Sequence, residues 1–465
     1  MSAAATPPPA GTDRPAPNDA IYWLAAVAVG AAAGVFGAVL HLGVARILVW
    51  PDLLRRELSL GGLPLVLVAG AVAAVMVTLS VWLVRRFAPL AGGSGVQEVE
   101  GAIGGVRQIH WRQVLAVKSV GSFLSLGSGL VVGPEGPTIH IGAATAQGFS
   151  QWLRLPGIDQ RAIIGCGAAA GLTAAFGAPV AGILFVLEET RRQFPYSFRT
   201  YTALILASVT SGIMIVAIAG RRPFMDVVVN VVPLAWLPGF VLLGVVLGAL
   251  GVVFNRCLIW SLDFGLAIGR RTSAYLLPAL VGFAVGVLLV VRPEAATGGD
   301  NLAVRLIEQN VPLAIVATIL VVRFFMTMGS YSTGAPGGIF APILSLAAAA
   351  GLVFALVLSA LTDLPAGLVG AFAVAAMGGL LSSTVRTPLT GIVLVAELTG
   401  VYANAIPVIL TCVLANLVAK LLGGRPIYEV LLERTLALAG ESAPAPDGQP
   451  GSPARSTRVG SLDRG

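Results

Sequence analysis

The sequence contains few charged side chains and few of the residues that enzymes use for catalysis. Only 11% of its 465 residues are charged, whereas 56% are hydrophobic and the mean hydropathy is +0.89. An ordinary soluble domain has about 25% charged residues. The three histidines, His41, His110 and His140, are too scattered for a metal site, and no Ser/His/Asp arrangement lies on neighbouring apolar segments. We therefore expect neither an enzyme nor a bound metal or cofactor.

Cysteine and lysine are also scarce. Cys166, Cys257 and Cys412 lie in apolar segments, and their odd number and spacing indicate packing residues and not disulfides. Of 29 basic residues, only Lys118 and Lys420 are lysines. No basic run suggests a nucleic acid partner, and the net charge of +7 suits a protein in contact with anionic lipids. Arginine pairs occur in several loops, so the charges do not indicate the orientation in the membrane.

Long apolar stretches make up most of the chain and predict an all-α, polytopic membrane protein. A helix needs about 20 apolar residues to cross a bilayer. Several stretches are shorter or longer than that, which is typical of tilted and broken helices around a site at mid-membrane. The stretches are 20–48, 61–84, 112–132, 161–187, 202–219, 232–261, 274–291, 311–328, 338–361, 366–381, 388–400 and 404–422.

The two ends of the chain have a different composition. Residues 1–19 are rich in Ala, Pro and Thr, and residues 441–465 are rich in Ser, Pro, Gly and Arg. We expect both tails to be disordered, and neither is long enough for a soluble regulatory domain.

One carboxylate stands among glycines and prolines in the segment 133–142, GPEGPTIHIG. Pro134 and Pro137 lack the N–H that a helix interior needs, so a helix is predicted to begin near Glu135. The free N–H groups at such a start form an anion site. Either the carboxylate of Glu135 or a free halide can occupy that site, which is the outline of a gate.

The glycine-rich loop 92–101 offers a hydroxyl beside a second predicted helix start. Ser94 is either a donor to a ligand or only an N-cap. Lys118 lies inside the apolar segment 111–132, and it predicts either a positive potential beside an anion path or a snorkelling side chain. Glu188 and Glu189 end another apolar segment. They are either a solvated helix terminus, or one of them faces inward and carries a proton.

The second half of the chain repeats the first. Gly133-x-x-Gly136 recurs 201 residues later as Gly334-x-x-Gly337, before Ile339 and Phe340. Glycine- and proline-interrupted segments in corresponding halves indicate a transporter site. Six residues recur with a displacement of 209: Pro179, Gly182, Ile183, Val186, Glu188 and Thr190 match Pro388, Gly391, Ile392, Val395, Glu397 and Thr399.

Together these motifs resemble the CLC family of chloride channels and chloride/proton antiporters, in the prokaryotic form without C-terminal CBS domains. The family's selectivity segments correspond to GSGVQE (93–98), GPEGP (133–137) and GGIFAP (337–342), in that order, with Tyr428 in a fourth matching place. The resemblance covers about residues 20–440. It implies a CLC-type inverted repeat of tilted and broken helices, with a first repeat of about 20–222 and a second of about 232–440.

The resemblance also implies roles for single residues. Chloride would be bound by the hydroxyls of Ser94 and Tyr428 and by the backbone N–H groups of Ile339 and Phe340. Glu135 would be the gate, and Glu189 matches the internal proton-transfer acid of antiporter members. The expected partners are chloride, protons, lipid and a second copy of the chain, in a bacterial inner membrane.

Two departures from the family pattern stand in these motifs. Pro134 takes the place of an arginine or lysine before the gating glutamate, and Gln97 takes the place of a proline. The first should weaken anion attraction near the gate, and the second should loosen a helix start. The leading function is chloride/proton antiport, and the alternative is a passive chloride channel gated by voltage or pH. Ser94 disfavours a fluoride exporter or a nitrate-preferring transporter.

Overall fold

The computed structural model describes residues 18–57, 61–191, 193–220, 225, 227, 229–308 and 311–440. Regular structure in these residues is helical, as predicted. The predicted disordered tails lie outside the described residues, except for Asn18, which caps the first helix, and Asp19, which begins it. The helices are α1 (Asp19–Ile47), α2 (Trp50–Glu57), α3 (Gly62–Phe87), α4 (Val96–Ile103), α5 (Trp111–Gly127), α6 (Glu135–Trp152), α7 (Gly157–Phe176), α8 (Pro179–Glu189), α9 (Phe198–Ala219), α10 (Leu237–Arg271), α11 (Leu276–Val291), α12 (Asp300–Glu308), α13 (Leu313–Ser332), α14 (Phe340–Leu361), α15 (Val369–Val385), α16 (Pro388–Thr399), α17 (Ala405–Leu421) and α18 (Ile427–Ala439).

The described helices fall into two length classes. Seven helical segments are long and apolar enough to cross a membrane. Others are too short: α16 has 12 residues, and at about 1.5 Å per residue it spans only roughly 18 Å of a hydrocarbon core about 30 Å thick. The protein therefore combines full spans with helices that begin or end inside the membrane.

Proline and left-handed glycine explain how the short helices are delimited. Pro179 and Pro388 stand in the first turns of α8 and α16, where a missing N–H costs nothing. Gly177 ends α7 with φ +63°, a conformation that L side chains rarely adopt. The chain can thus end one helix and begin the next within two residues. The positions of the glycine and the proline in the sequence set the depth in the membrane at which this happens.

Small residues let α6 and α7 approach through their backbones. A Cβ on Gly142 would lie 2.1 Å from the carbonyl oxygen of Gly167, and one on Gly171 would lie 2.3 Å from that of Thr138. The small-residue segment 165–178 is thus a packing surface, as its composition indicates. It places α7 directly behind the helix that begins with Glu135.

Candidate functional site

Two glycine loops, one from each half of the chain, meet at the centre of the fold. Gly133 and Gly338 exchange backbone hydrogen bonds of 2.9 and 2.8 Å. Next to them, Gly93 donates to Gly334 at 3.3 Å and accepts from Gly337 at 3.0 Å. The three glycine-rich motifs therefore form one site, and the helix starts that follow them converge on it.

Glu135 is the first residue of α6 and is fully buried. Its Oε1 accepts hydrogen bonds from the backbone N–H groups of Phe340 at 2.6 Å and Ala341 at 3.3 Å. A Cβ on Gly133 or on Gly338 would lie 2.0 or 2.2 Å from a carboxylate oxygen of Glu135. Because both positions are glycines, there is room here for the carboxylate. The carboxylate occupies the anion position that the free N–H groups form at the start of α14.

The predicted pair of hydroxyls lies on the other side of the same site. Ser94 and Tyr428 are fully buried, and the Tyr428 hydroxyl lies beside Ser94, within electrostatic range of Glu135. Within the described chain, however, neither hydroxyl has a partner that meets full hydrogen-bond geometry. Buried hydroxyls without partners are costly, and a small anion between them would satisfy both.

The aromatic and backbone surroundings close this space. The ring centroid of Phe340 lies 5.9 Å from that of Tyr428 and 5.4 Å from that of Phe185. Ile339, fully buried, is the residue immediately before α14, so its N–H is among those left free at the helix start. The structure thus brings together Ser94, Glu135, Ile339, Phe340 and Tyr428.

Lys118 resolves one of the alternatives left open by the sequence. It is fully buried on α5, so it is not a snorkelling side chain. Its Nζ donates to the carbonyls of Gly93 at 2.7 Å and Ser94 at 3.0 Å. Ser94 is not an N-cap either, because Gly95 takes that position with φ +84°. The ammonium therefore fixes the loop that carries the Ser94 hydroxyl and adds a positive charge behind it.

Of the two adjacent acids, only Glu189 remains as a candidate for proton transfer. Glu188 is a helix cap: its carboxylate accepts the N–H groups of Leu389 at 3.0 Å and Thr390 at 2.7 Å, at the start of α16. Glu189 ends α8 within electrostatic range of Glu100 and Glu429. Tyr428 is within electrostatic range of both Glu135 and Glu189.

Some residues of the site escaped the analysis of the sequence. The N–H of Ala341 binds Glu135 although only Ile339 and Phe340 were singled out. The signal was available, because the first four N–H groups of any helix are free. The fixing role of Lys118 was not predicted, since a sequence does not show which carbonyls face a buried ammonium.

This fold and this site define a polytopic membrane transporter for a small anion. Broken helices from both halves point their N-termini at a buried space, and a carboxylate occupies one anion position within it. An anion held by backbone dipoles and hydroxyls can be released again, as transport requires.

The chain belongs to the CLC family. Residues 76–420 match the family described as "Voltage gated chloride channel". The H(+)/Cl(-) exchange transporter ClcA of Vibrio parahaemolyticus is 39% identical over 421 residues, which cover 88% of this chain and 89% of that protein. The transporter of the same name from Citrobacter koseri is 37% identical over 405 residues, or 86% and 82% of the two chains.

Solved structures agree with this assignment. The crystal structure of a slow cyanobacterial Cl-/H+ antiporter has a TM-score of 0.85 and 35% identity, and covers 90% of this chain and 99% of that one. A eukaryotic CLC transporter matches with a TM-score of 0.72 at 21% identity, over 90% of this chain and 75% of that one, which shows a shared fold alone. The predicted fold class is confirmed, and the protein is a transporter and not an enzyme.

Proposed function

We propose that this chain exchanges chloride for protons, with Glu135 as the shared element of both pathways. One observation carries the proposal: the Glu135 carboxylate accepts hydrogen bonds from the backbone N–H groups of Phe340 and Ala341, and a chloride ion would bind to the same groups. Chloride and the carboxylate therefore compete for one position. The family membership and the exchange transporters among the similar proteins support chloride and protons as the transported ions.

For the chloride pathway, we assign the central site to Ser94, Tyr428, Ile339 and Phe340. The two hydroxyls would donate to the ion, and the N–H groups at the start of α14 would supply the positive end of a helix dipole. When Glu135 is protonated it no longer competes as an anion, so chloride can take its place. The Phe340 N–H then donates its hydrogen bond to chloride and no longer to the Glu135 carboxylate.

For the proton pathway, we assign Glu189 as the acid that exchanges protons with the opposite solution. Its position at the end of α8, within electrostatic range of Tyr428, which is itself within range of Glu135, suits a relay between the two carboxylates. A proton taken up at Glu189 would reach Glu135, leave its carboxylate neutral and free the anion position.

The finer assembly and location are also proposals. The chain is a multi-pass membrane protein, and its bacterial relatives support a location in the cell membrane. We assign it to the inner membrane as a homodimer with one ion path in each subunit. Large apolar side chains on α8, α16 and α17 are exposed in the single chain, among them Val180, Leu389 and Ile406. Lipid or a partner subunit can cover such a face, and mass determination of the purified, lipid-bound protein distinguishes the two.

The function itself is tested in liposomes that contain the purified protein, with chloride efflux and pH recorded together. A chloride gradient should drive protons uphill. Glu189→Gln should abolish proton movement while chloride flux continues, and Glu188→Gln is the matched control, because Glu188 caps a helix. A reversal potential that follows chloride alone, whatever the proton gradient, would instead identify a passive channel.

A further inference from the structure

A cavity of 680 Å³ opens beside Pro134, the residue immediately before Glu135. Its wall is built by both halves of the chain: the end of α1, the end of α7, the loop 293–299 and α12. Pro134 joins this cavity directly to Glu135 in the chain. By the resemblance described above, Pro134 stands in the place of a basic residue.

A different basic residue lines the same cavity. Arg305 lies in the last turn of α12 and is exposed. Leu302 and Leu306 on the same helix are 4% exposed and pack into an apolar cluster with α14 and α15. Leu302, which lies one turn before Arg305, also lines the cavity, so this side of α12 faces it. Within the described chain the guanidinium of Arg305 makes no ion pair.

The other charged or titratable groups of the cavity are Glu294, Glu397 and His41. Glu397 accepts the N–H groups of Val180 at 3.1 Å and Ala181 at 2.8 Å, so the start of α8 offsets its charge. Glu294 is half-buried and opposes Arg305 in sign. Arg305 is thus the exposed arginine in the wall of this cavity. Because no carboxylate of the described chain pairs with it, its charge acts on an ion in the cavity.

The cavity wall is held rigidly against the gate. Buried Arg323 donates to the carbonyls of Ala296 at 2.9 Å and Gly298 at 2.8 Å in the loop that lines the cavity. It also donates to the hydroxyl of Ser345 on α14 at 2.8 Å. These hydrogen bonds connect the loop to α14, the helix whose first N–H groups bind Glu135. They therefore fix the cavity wall relative to the gate.

We propose that this cavity is the entrance through which chloride reaches the gate, and that Arg305 draws the ion into it. Arg305 thereby takes over the role of the basic residue that the resemblance places at Pro134. The proposal rests on anion transport by this chain but not on its coupling to protons. The guanidinium raises the local concentration of small anions in front of Glu135 and does not bind the ion at the central site.

The expected effect is modest and depends on salt. A unit charge about 7–10 Å from the ion changes its energy in water by about RT or a little less, which corresponds to a twofold to threefold change in occupancy. Arg305→Gln should therefore raise the chloride concentration at half-maximal flux about twofold to threefold, and Arg305→Glu should raise it further. Both shifts should shrink when an impermeant salt shortens the Debye length to about 3 Å at 1 M.

The test is chloride flux into liposomes against chloride concentration, at low and high ionic strength, for wild type, Arg305→Gln, Arg305→Glu and Arg305→Lys. Arg56→Gln is the matched control, because Arg56 is an exposed arginine on α2 that does not line the cavity. The lysine variant should retain wild-type values. Pro134→Arg placed in the Arg305→Gln protein should restore the half-maximal concentration.

Three results would overturn the proposal: no shift in Arg305→Gln, a shift equal to that of Arg56→Gln, or a shift that is unchanged at high ionic strength. A loss of maximal flux with no change in half-maximal concentration would also contradict it, since it would indicate a structural role. Protons are recorded in the same experiment. Uncoupled chloride flux in the wild type would refute proton exchange while the Arg305 comparison is still decided by chloride alone.

Discussion

The carboxylate of Glu188 caps the helix that carries Glu397, and the carboxylate of Glu397 caps the helix that carries Glu188. Glu188 accepts the N–H groups of Leu389 and Thr390 at the start of α16, and Glu397 accepts two N–H groups at the start of α8. Each acid stands near the end of its own helix. The two helices must therefore run antiparallel, as an inverted repeat requires.

We predict that these two acids stabilise the protein without taking part in transport. Glu397→Ala leaves two N–H groups at the start of α8 without an acceptor, and the loss of a helix cap costs about 1 kcal/mol. The melting temperature in detergent should fall by a few degrees, about 2–4 °C if a protein of this size follows the trend for large domains. Chloride flux per folded molecule should stay at the wild-type value.

Glu308→Ala serves as the control for this prediction, because Glu308 is exposed at the end of α12 and caps no helix start in the described part of the chain. An unchanged melting temperature in Glu397→Ala would show that solvent replaces the carboxylate at no cost. The same comparison applies to Glu188→Ala, which also removes a 2.7 Å hydrogen bond from the Thr390 hydroxyl.

The repeat and the helix starts were readable from the sequence for physical reasons. Proline cannot lie in a helix interior, so Pro134 predicted that α6 begins at Glu135, and Pro388 stands where α16 begins. The displacement of 209 residues showed that Glu188 and Glu397 correspond. It did not show that each caps the other's helix, because equal spacing is compatible with parallel or inverted halves.

Lys118 shows what a sequence leaves undetermined. A lysine in an apolar segment is compatible with burial or with snorkelling, and only the packing of α5 against the loop 92–95 decides between them. The partners of its Nζ are backbone carbonyls, which carry no signature of residue type. The N–H of Ala341, by contrast, was predictable, because the first four N–H groups of any helix are free.

Lys118→Met is predicted to impair chloride binding through the loop and not through the gate. It leaves the buried carbonyl of Ser94 without its donor, at about 1–3 kcal/mol for the unsatisfied group. The carbonyl of Gly93 loses one of its two hydrogen bonds and keeps that from the N–H of Gly337. The loop should shift, and chloride affinity should fall by about tenfold or more, since 1.4 kcal/mol corresponds to a factor of ten. Proton movement per chloride should be unchanged in the molecules that remain folded.

Isothermal titration with chloride measures this affinity, and Lys420→Met is the matched control because Lys420 is an exposed lysine at the end of α17. Lys118→Arg should fall between wild type and Lys118→Met, since a guanidinium can donate to both carbonyls but needs more space. A wild-type affinity in Lys118→Met would contradict the fixing role.

Chloride flux should rise as the pH falls on the side that Glu135 faces. The ionised carboxylate is held by the N–H groups of Phe340 and Ala341, and protonation removes the charge that these groups attract. The anion position is then open to chloride, so acid favours transport and alkali favours the closed arrangement. Glu135→Gln carries no titratable group, and its flux should be independent of pH and free of proton coupling.

Initial rates of chloride efflux at a series of external pH values measure this effect. Glu294→Gln is the control, because Glu294 lines the entrance without contacting the helix starts. It should keep the pH dependence. A pH profile in Glu135→Gln that matches the wild type would assign the dependence to another group.

The last prediction concerns the two hydroxyls that have no partner of full hydrogen-bond geometry in the described chain. If Ser94 and Tyr428 donate to chloride, Tyr428→Phe and Ser94→Ala each remove one hydrogen bond to a charged group, worth about 1.5–3 kcal/mol. Chloride affinity should fall by about tenfold to a hundredfold in each variant. The buried tyrosine ring remains in Tyr428→Phe, so its packing against Phe340 is retained.

Titration in a Glu135→Gln background isolates this effect, because the gating carboxylate then no longer competes for the site. Tyr402→Phe is the matched control, since Tyr402 is 66% exposed and lies far from the glycine loops in sequence. The double variant Ser94→Ala, Tyr428→Phe should lose less than the sum of the two single losses, because both hydroxyls serve one ion. Strict additivity of the two losses would contradict the assignment, because it would mean that the two hydroxyls do not serve one ion.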